Sequence, residues 1–394
     1  MPTPTRRPRI VYCTDTYPPQ VNGVSVVTAL SVRGLMDRGW SCAVIAPAYP
    51  DSEPSLDIGP ASVVSIPSVA MPVYPDLRLS APDYGTIRTT IGVFEPDVVH
   101  CATEFVIGAL GQRAALRSGI PVVSSYHTDF GRYAAAYGAP WLRGTVNRYL
   151  AAFHRRNALT FTPSAPAQRD LTAMGVRHAS VWGRGVDTTL FSPSRRDYAM
   201  RTSYSRGAPF LFLHVGRLAA EKNVNVIVEA YRLATRLLPR DSIRLVIAGS
   251  GPEEKKLRAM APDDVVFLGV LDRDRELPRL YASADAFLFA SLTETLGLVI
   301  LEAMASGLPV VAAPAGGVAD HLRHFDNGMA VPPSDPVAMA HAMVQLATDE
   351  TLRQRLSTGA RQTAAGLSWD SELDRLDAAY RDLIGADVSK TRVA

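Results

Sequence analysis

The sequence predicts an α/β fold in which two domains are each built on a parallel sheet. The chain has 394 residues, which is more than one hydrophobic core usually serves, so two domains are expected. Residues 285–317 contain an apolar run, a helical segment and a second apolar run, the pattern of a βαβ unit. The same order of strand, helix and strand opens the chain between Arg9 and Ala46. Ligands of such units gather at the carboxyl ends of the strands.

The composition is that of an ordinary globular protein, with 47% hydrophobic and 20% charged residues. The net charge of +3 is too small to indicate a nucleic-acid partner, and none is predicted. Cys13, Cys42 and Cys101 are far apart and lack ligand spacing, which favours buried thiols over a disulfide or a zinc site. Residues 1–9 are not followed by the longer apolar region of a signal peptide, and no apolar stretch is long enough to span a bilayer, so we expect a cytoplasmic protein.

The N-terminal half is predicted to be an open α/β domain. Its predicted strands are Arg9–Cys13, Cys42–Ala46, Asp97–Cys101, Pro121–Ser125 and Phe161–Pro163, with a helix over Val24–Arg38. The loop before that helix offers one glycine, Gly23, where a dinucleotide-binding loop carries G-x-G-x-x-G. A dinucleotide therefore has little support, and Gly23 could serve a turn alone. His127 follows a buried strand at its carboxyl end, where it can face a ligand or fill a structural place.

The C-terminal half has the same pattern of alternating strands and helices. Its predicted strands are Phe210–Val215, Leu245–Ala248, Val265–Leu268, Ala286–Ala290 and Val310–Ala313. A helix is predicted to begin near Gly297 and to end at Gly307, because glycine suits a helix C-cap and Pro309 prevents continuation. The polar segment Ser192–Gly207 is predicted as a linker, and a last helix is predicted over Trp369–Ile384.

Two glutamates flank the predicted start of the helix at Gly297. The first-turn amides of Gly297, Leu298 and Val299 have no partner within the helix, so an anion such as phosphate would fit there. Glu294 before this position and Glu302 beyond it could each grip a hydroxylated group, one a sugar and the other a ribose. Their apolar surroundings favour this over the alternative that both are solvated surface residues.

Positive charge for a phosphate must come from elsewhere in the chain. Arg217 follows the strand at Phe210–Val215, and Lys222 precedes the next helix, so both can aim at one anion at the strand ends.

With these residues in view, the sequence resembles the retaining glycosyltransferases of family 4. The resemblance rests on the E-x7-E element of Glu294 and Glu302 and on Gly216-Arg-Leu-Ala-Ala-Glu-Lys-Asn223. It implies a GT-B fold, in which two Rossmann-like domains face each other across a cleft. Residues 1–192 would form the acceptor domain and residues 193–368 the nucleotide-sugar donor domain. Residues 369–394 would form a helix that crosses back to the N-terminal domain, plus a tail.

The resemblance also implies roles for single residues. Those implied in catalysis are His127, Glu294, Arg217 and Lys222. Those implied in donor binding are Gly23, Arg217, Lys222, Val270, Glu294, Thr295, Leu296, Gly297, Leu298 and Glu302. The acceptor is expected near Tyr17, Asn22 and Asp129. The nucleotide-sugar would be a substrate, and neither a cofactor nor a metal is expected. Asp272-Arg273-Asp274 is similar to a metal-binding D-x-D, but the protein's own cations already serve the phosphates.

Three further segments narrow the resemblance to a subgroup. Thr14–Val24, Ser125–Phe130 and Trp182–Asp187 are similar to α-mannosyltransferases and glycolipid-forming enzymes. They imply transfer of a hexose, favoured as mannose from GDP-mannose, to a lipid-linked or small glycoside acceptor with an α-glycosidic bond. The alternative within the class is a UDP-sugar-dependent glycolipid synthase that transfers glucose or sulfoquinovose. Alternatives from other classes are a GT-B nucleotide-sugar epimerase and a non-catalytic nucleotide-sugar binder.

The segment 132–156 is both basic and aromatic. Trp141, Tyr149 and Phe153 partly share helical spacing, and arginines lie between them. One interpretation is a core stripe with a solvated face. The other is peripheral contact with an anionic membrane, at the inner face of the cell membrane.

Overall fold

The computed structural model describes residues 6–20, 22–49, 61–70, 78–127, 141, 143–183, 185–294 and 297–391. Their contacts divide the chain into two compact units. The described residues up to His127, those of 141–183 and those after Trp369 form the first unit. The described residues from Gly185 to Trp369 form the second. None of the described helices combines the length and the apolar character that crossing a membrane would require.

The first unit is built on a parallel sheet. Its strands are β1 Arg9–Cys13, β2 Ser41–Pro47, β3 Ser62–Ile66, β6 Val98–Cys101, β7 Val122–Ser125, β8 Leu159–Thr162 and β9 Ala179–Val181. They lie in the order β3-β2-β1-β6-β7-β8-β9, so the strand order reverses between β1 and β6. A separate antiparallel hairpin is formed by β4 Ser68–Ala70 and β5 Arg78–Ser80.

Helices join the strands of the first unit. They are α1 Gly23–Asp37, α2 Tyr84–Phe94, α3 Val106–Arg117, α4 Arg143–His154 and α5 Ala165–Ala173. The first of them begins at a capping box: the Asn22 side chain accepts from the Ser25 amide, and the Ser25 hydroxyl accepts from the Asn22 amide. This local hydrogen bonding explains why the predicted helix starts where it does.

The second unit has a six-stranded parallel sheet. Its strands are β10 Phe210–Val215, β11 Ile243–Ala248, β12 Val266–Gly269, β13 Ala286–Phe289, β14 Val310–Ala312 and β15 Gly328–Ala330. Their order is β12-β11-β10-β13-β14-β15, the doubly wound arrangement with a switch point between β10 and β13. Alternate residues of β10 enter opposite cores, Phe212 one and Leu213 the other, because the sheet is covered on both faces.

The helices of the second unit cover both faces of this sheet. They are α6 Tyr198–Ser205, α7 Val224–Leu237, α8 Glu254–Met260, α9 Glu276–Ser283, α10 Leu298–Ala305, α11 Pro336–Thr348 and α12 Glu350–Ala365. Short 3-10 turns lie at Pro193–Arg195, Ala220–Lys222 and Gly316–Asp320.

The last helix, α13 Trp369–Thr391, belongs to the first unit from Asp370 onward. The indole of Trp40 donates to Asp377 at 2.6 Å, and the phenols of Tyr12 and Tyr380 lie 3.0 Å apart in the core. Leu373 packs so closely on Gly34 of α1 that any larger residue at Gly34 would collide with it. Burial and hydrogen bonds together therefore hold this helix to the first sheet.

The strands and helices predicted from the sequence are present, with small shifts at their ends. The predicted linker Ser192–Gly207 instead contains α6, whose first turn is capped by the Asp197 side chain. The change of unit falls before it, between Gly183 and Gly185. The strands β3, β4, β5, β9 and β15 were not predicted: β3 is mostly exposed, and each of the other four has only three residues.

Candidate active site

The carboxyl ends of β10 and β13 meet at the switch point of the second unit. The loop after β10 leads into the turn Ala220–Lys222, and the loop after β13 leads to the start of α10 at Leu298. Ligands of doubly wound sheets bind at this position, because the two loops diverge there and leave a crevice. The structure thus brings the predicted cations and the predicted E-x7-E element to one place.

Lys222 and Glu294 form an ion pair across these two loops. The Lys222 ammonium donates to Oε2 of Glu294 at 2.7 Å, and both side chains keep less than a fifth of their surface exposed. The second oxygen, Oε1, lies 3.4 Å from the amide of Gly297 at the start of α10. The carboxylate therefore occupies the position between the lysine and the helix where an anion would bind.

Arg217 has an acidic partner as well. Its guanidinium donates to Glu221, whose side chain is fully buried in the turn before α7. The backbone carbonyl of Glu221 accepts from the Ser291 hydroxyl at 3.3 Å, which ties this turn to the loop after β13. Each predicted phosphate-binding cation is thus held beside a carboxylate of the protein itself, a pairing that the sequence analysis did not foresee.

Glycines shape the backbone around Glu294. Gly297 caps α10 with a φ of +76°, which favours glycine, and its predicted place at the helix start is confirmed. Gly316 has a φ of +56°, and a Cβ atom there would come within 2.2 Å of the Glu294 carbonyl oxygen. That same oxygen accepts from the Gly317 amide at 2.8 Å. Thr295 and Leu296, both predicted to bind the donor, lie outside the described residues.

The first turn of α10 begins beside Glu294, whose Oε1 lies 3.4 Å from the Gly297 amide. The Gly297 carbonyl accepts from the amides of Ile300 and Leu301 at 2.9 and 3.2 Å. The amides of Leu298 and Val299 precede the first intrahelical bond, so the partial positive charge of the helix end is directed at the Glu294 side.

Glu302 lies in the second turn of α10 and is almost completely buried. Its Oε1 accepts from Arg273 at 2.7 Å, and its Oε2 accepts from the Tyr281 hydroxyl at 3.2 Å. Burial raises the pKa of the Glu302 carboxyl, and the neighbouring Arg273 charge opposes that rise.

The loop after β12 contains Val270 and the D-x-D sequence. The Val270 side chain is exposed at the end of the strand, as a surface for a flat ring would be. Asp272 accepts from the amides of Asp274 and Arg275 at 3.0 and 2.7 Å, so it shapes the turn before α9. Among the described residues no group of three or more acidic, histidine or cysteine side chains could hold a metal.

His214 is a residue of this site that the sequence analysis missed. It lies on β10 just before Gly216 and is buried, and its Nδ1 is 3.0 Å from the Leu288 carbonyl. Burial lowers its pKa to about 4, so the ring is neutral near pH 7. The sequence feature that indicated His127 also applies to His214: each is a histidine near the carboxyl end of a buried strand.

His127 lies two residues after the end of β7 in the first unit and is partly exposed, next to the buried Tyr126. Burial of the ring and the charge of His154 lower its pKa to about 4. His154 lies on α4 between two partners: its Nε2 is 3.2 Å from Glu104, and its Nδ1 is 2.9 Å from Ser124 of β7.

The loop before α1 carries the other predicted residues of the first unit. Gly23 is exposed with open space around its Cα, whereas the Asn22 side chain is used in the capping box and also donates to Thr16 at 2.7 Å. The Tyr17 side chain is only 1% exposed, so an acceptor could contact it only if this loop opened. Asp129 lies outside the described residues.

The switch point of the first unit is already filled by a carboxylate. Asp15, after β1, accepts from the Ile107 amide at 2.9 Å and from the Thr103 hydroxyl at 2.6 Å, at the N-terminus of α3. A phosphate could bind at this helix end only by displacing the Asp15 carboxylate, and no described lysine or arginine is paired with Asp15. Among the described residues of the first unit, the N-terminus of α3 is therefore capped by the Asp15 carboxylate.

Known proteins resemble both units. Residues 21–190 match the family described as Glycosyltransferase Family 4, and residues 199–363 match the family described as Glycosyl transferases group 1. The chain is 33% identical to a GDP-mannose-dependent alpha-mannosyltransferase of Mycobacterium tuberculosis, over 96% of this chain and 97% of the relative. It is 34% identical to a sulfoquinovosyl transferase of Arabidopsis thaliana, over 78% of this chain and 61% of the relative.

Solved structures support the fold. The Anabaena protein HepE, crystallised with UDP and glucose, matches with a TM-score of 0.77 at 20% identity, over 95% of this chain and 99% of that chain. Two parallel-sheet Rossmann-like units and this similarity confirm the GT-B fold. Together with the relative that it matches along almost its whole length, they place the chain in glycosyltransferase family 4, as a glycosyltransferase with the GT-B fold.

Proposed function

We propose that the protein is a retaining hexosyltransferase that moves mannose from GDP-mannose to a lipid-linked or small glycoside acceptor. The observation that carries this proposal is the pairing of Lys222 with Glu294 beside the N-terminus of α10. It places a cation, a carboxylate and helix amides at one switch point. Similarity to a GDP-mannose-dependent enzyme along almost the whole chain supports the choice of donor. We assign donor binding to the second unit and acceptor binding to the first.

The donor diphosphate would displace the internal carboxylates from their cations. Arg217 and Lys222 would turn to the phosphate oxygens, and the Leu298 and Val299 amides would add the helix dipole. Glu294, once released from Lys222, would accept hydrogen bonds from sugar hydroxyls, while Glu302 would accept from the ribose and Val270 would lie against the base. Because protein cations neutralise the phosphates, the proposal needs neither a metal nor a cofactor.

The reaction is proposed to be a front-side displacement, as the resemblance to the retaining family implies. The bond between the sugar C1 and the β-phosphate oxygen breaks while the acceptor oxygen bonds to C1 from the same face, so the α configuration is kept. The acceptor hydroxyl proton passes to an oxygen of the leaving diphosphate, which acts as the base. Arg217, Lys222 and the helix amides stabilise the negative charge that grows on the diphosphate.

His127 would contact the sugar as a neutral ring. Its pKa of about 4 leaves it unprotonated near pH 7, so it can donate one hydrogen bond and accept another without adding positive charge. Gly23 would let the backbone approach the donor phosphates, and Tyr17, Asn22 and Asp129 are proposed to border the acceptor.

A lipid acceptor would require the protein to approach a membrane. Trp141 is 77% exposed next to α4, whereas Phe153 of the same helix is buried in the core. A groove of about 720 Å³ runs between α3 and α4, with the exposed Arg113, Arg117 and Arg156 among its lining residues. Arginines beside apolar surface suit an anionic bilayer, so we include peripheral contact through residues 132–156 in the proposal.

The test is nucleoside diphosphate release by the purified protein from a panel of GDP- and UDP-sugars, with and without membrane lipid extract. Release from GDP-mannose that rises with lipid supports the donor and the acceptor class together. Release from UDP-glucose or UDP-sulfoquinovose instead supports the second candidate, a glycolipid synthase, which the similarity to the sulfoquinovosyl transferase favours. Sugar conversion without an acceptor would indicate an epimerase, and donor binding without turnover would indicate a binder.

The membrane part has its own measurement. Co-sedimentation with vesicles rich in anionic lipid at low salt is expected, with reduced binding by an Arg113→Gln/Arg156→Gln variant. Recovery of all the protein in the supernatant would refute peripheral contact without affecting the donor assignment.

A further inference from the structure

Arg273, the central residue of the D-x-D sequence, is built into the second unit through its guanidinium. It donates to Glu302 at 2.7 Å, and its side chain is only 14% exposed. The guanidinium also lies 5.2 Å from the centre of the Phe191 ring, within the range of a cation–π contact. An arginine that is buried, paired and stacked in this way is held in a single orientation.

Tyr281 holds the same carboxylate from α9. Its hydroxyl donates to Oε2 of Glu302 at 3.2 Å, and its ring packs edge-on against Phe191 at 5.7 Å. Glu302 therefore has one partner on each oxygen, and both partners are fixed against the same phenylalanine.

Arg273 and Glu302 come from two different segments of the second unit. Arg273 follows β12 three residues after Val270, and Glu302 lies one turn beyond the amides at the start of α10. The bond between them joins the strand end assigned to the base with the helix assigned to the phosphates. In a nucleoside diphosphate, the ribose lies between base and phosphates, as Glu302 does here.

We propose that Arg273, assisted by Tyr281, is a positioning residue that keeps the Glu302 carboxylate ionised and oriented to accept the ribose hydroxyls of the donor nucleotide. The inference rests on the proposed function, in which Glu302 binds the ribose. An ionised carboxylate has roughly four acceptor positions, and Arg273 and Tyr281 use two, so two are left for a diol.

The buried charge explains why such a cation is needed. A carboxyl group placed in an apolar interior tends to take up a proton, which removes acceptor capacity and turns one oxygen into a donor. Arg273 counters this tendency with its charge: one guanidinium nitrogen donates to Oε1 of Glu302 at 2.7 Å, and the other donates to Asp274 at 3.3 Å, which fixes the direction of the bond to Glu302. A lysine would keep the charge but not the planar geometry.

The experiment compares the dissociation constants of GDP and 2′,3′-dideoxy-GDP by titration calorimetry. The variants are Arg273→Lys, Tyr281→Phe and Glu302→Gln, each checked for its fold by thermal unfolding. The matched control is Arg279→Lys, because Arg279 on the same segment pairs with Asp197 instead. If the binding of 2′,3′-dideoxy-GDP is too weak to measure, the same comparison is made with UDP and 2′,3′-dideoxy-UDP.

The wild-type protein is expected to prefer the intact ribose by about tenfold or more, as hydrogen bonds to a charged group would give. Glu302→Gln and Arg273→Lys should bring this ratio close to one while the dideoxy nucleotide binds as in the wild type. The control should keep the wild-type ratio. If Arg273→Lys does not fold, Tyr281→Phe decides, because it releases the same carboxylate and should lower the ratio too.

The outcomes separate the inference from the function on which it rests. A ratio near one in the wild type would overturn the ribose role of Glu302, and the inference with it, while nucleotide release from GDP-mannose would still support transfer. A wild-type preference that is lost in Glu302→Gln but kept in both Arg273→Lys and Tyr281→Phe would overturn the inference alone.

Discussion

Lys222 and Glu294 hold each other across the switch point of the second sheet, with 2.7 Å between Nζ and Oε2. Lys222 is proposed to bind the donor diphosphate, and Glu294 is proposed to bind the donor sugar. The ion pair between them therefore competes with both of these interactions. A diphosphate carries more negative charge than a carboxylate and can take the lysine from it. The released carboxylate is then available for the sugar, which couples phosphate binding to sugar binding.

The first prediction concerns Glu294. Replacement of Glu294 by alanine or glutamine should lower kcat for transfer by about 100-fold or more, because the sugar is no longer oriented for attack. Binding of GDP without a sugar should not weaken, since Lys222 has lost a competing partner. The measurement is kcat for transfer beside the dissociation constant of GDP. Glu254→Gln is the control, because Glu254 forms a comparable ion pair with Arg258 on exposed α8. Retained turnover in a folded Glu294→Ala would refute the assigned role.

The second prediction concerns the pH dependence of stability. Burial lowers the pKa of His214 from 6.5 to about 4, so folding is not affected above about pH 6.5, where both states are neutral. As the pH falls from about 6.5 to about 4, the unfolded chain takes up a proton that the folded state resists. A shift of this size corresponds to roughly 3 kcal/mol of lost stability. His214→Phe, which keeps a ring beside Phe287, should remove this part of the dependence.

Urea unfolding of the wild type and of His214→Phe at about pH 7.5 and about pH 5 would check this, with circular dichroism as the signal. The difference in unfolding free energy between the wild type and His214→Phe should shrink or reverse at the lower pH, because only the wild type has His214. His100 and His127 keep their depressed pKa values in both proteins, so their contributions cancel in the comparison. Equal losses of stability on acidification would show that His214 is not a buried neutral ring.

The local parts of the fold were predictable, because they depend on near neighbours in the sequence. Apolar runs gave the strands, and Gly307 with Pro309 gave the end of α10. The E-x7-E residues and the two cations were found as motifs, and the structure brings them to one switch point. Their mutual pairing was not predictable, since Lys222 and Glu294 are 72 positions apart and only the strand order joins them.

Other contacts needed the three-dimensional structure for the same reason. Cys13 and Cys101 seemed unrelated in the sequence, yet they are direct partners on the neighbouring strands β1 and β6. Arg273 was considered only as the spacer of a D-x-D sequence, because nothing near it in the sequence indicates a contact with Glu302, which lies 29 positions away on α10. Asp15 likewise could not be assigned to the N-terminus of α3 before the order of the strands was known.

The third prediction concerns Asp15. Asp15→Ala should uncap α3 and lower the stability of the first unit by about 0.5–2 kcal/mol, as loss of a helix cap does. Asp15→Asn should recover part of the loss, since an amide oxygen can still accept from the Ile107 amide. Addition of inorganic phosphate should stabilise Asp15→Ala more than the wild type, because the vacated helix end can bind an anion. Thermal unfolding with and without phosphate would measure this, and identical shifts in both proteins would contradict the assigned role.

The last prediction concerns the buried chain of Glu104, His154 and Ser124. Its connectivity is that of a hydrolytic triad, but all three side chains are buried, and the Ser124 hydroxyl also accepts from Asn157 at 2.7 Å. A nucleophile without access to substrate cannot act, so the chain has another effect. Ser124 belongs to β7, and His127 follows on the same strand end. The chain therefore anchors the strand that presents His127, and the charge on His154 lowers the pKa of His127.

The double variant Glu104→Gln/His154→Gln replaces the hydrogen-bonded carboxyl–imidazole pair by two amides that can still bond to each other. The pKa of His127 should then rise from about 4 without reaching 6.5, because the charge of His154 is gone but burial remains. NMR titration of isotope-labelled histidine would measure it, and kcat should fall more than KM rises, as expected when a group is misplaced but the substrate still binds. His178→Gln, at an exposed histidine of the same unit, is the control. An unchanged His127 titration in the folded double variant would mean that the Glu104–His154 pair stabilises the fold without influencing His127.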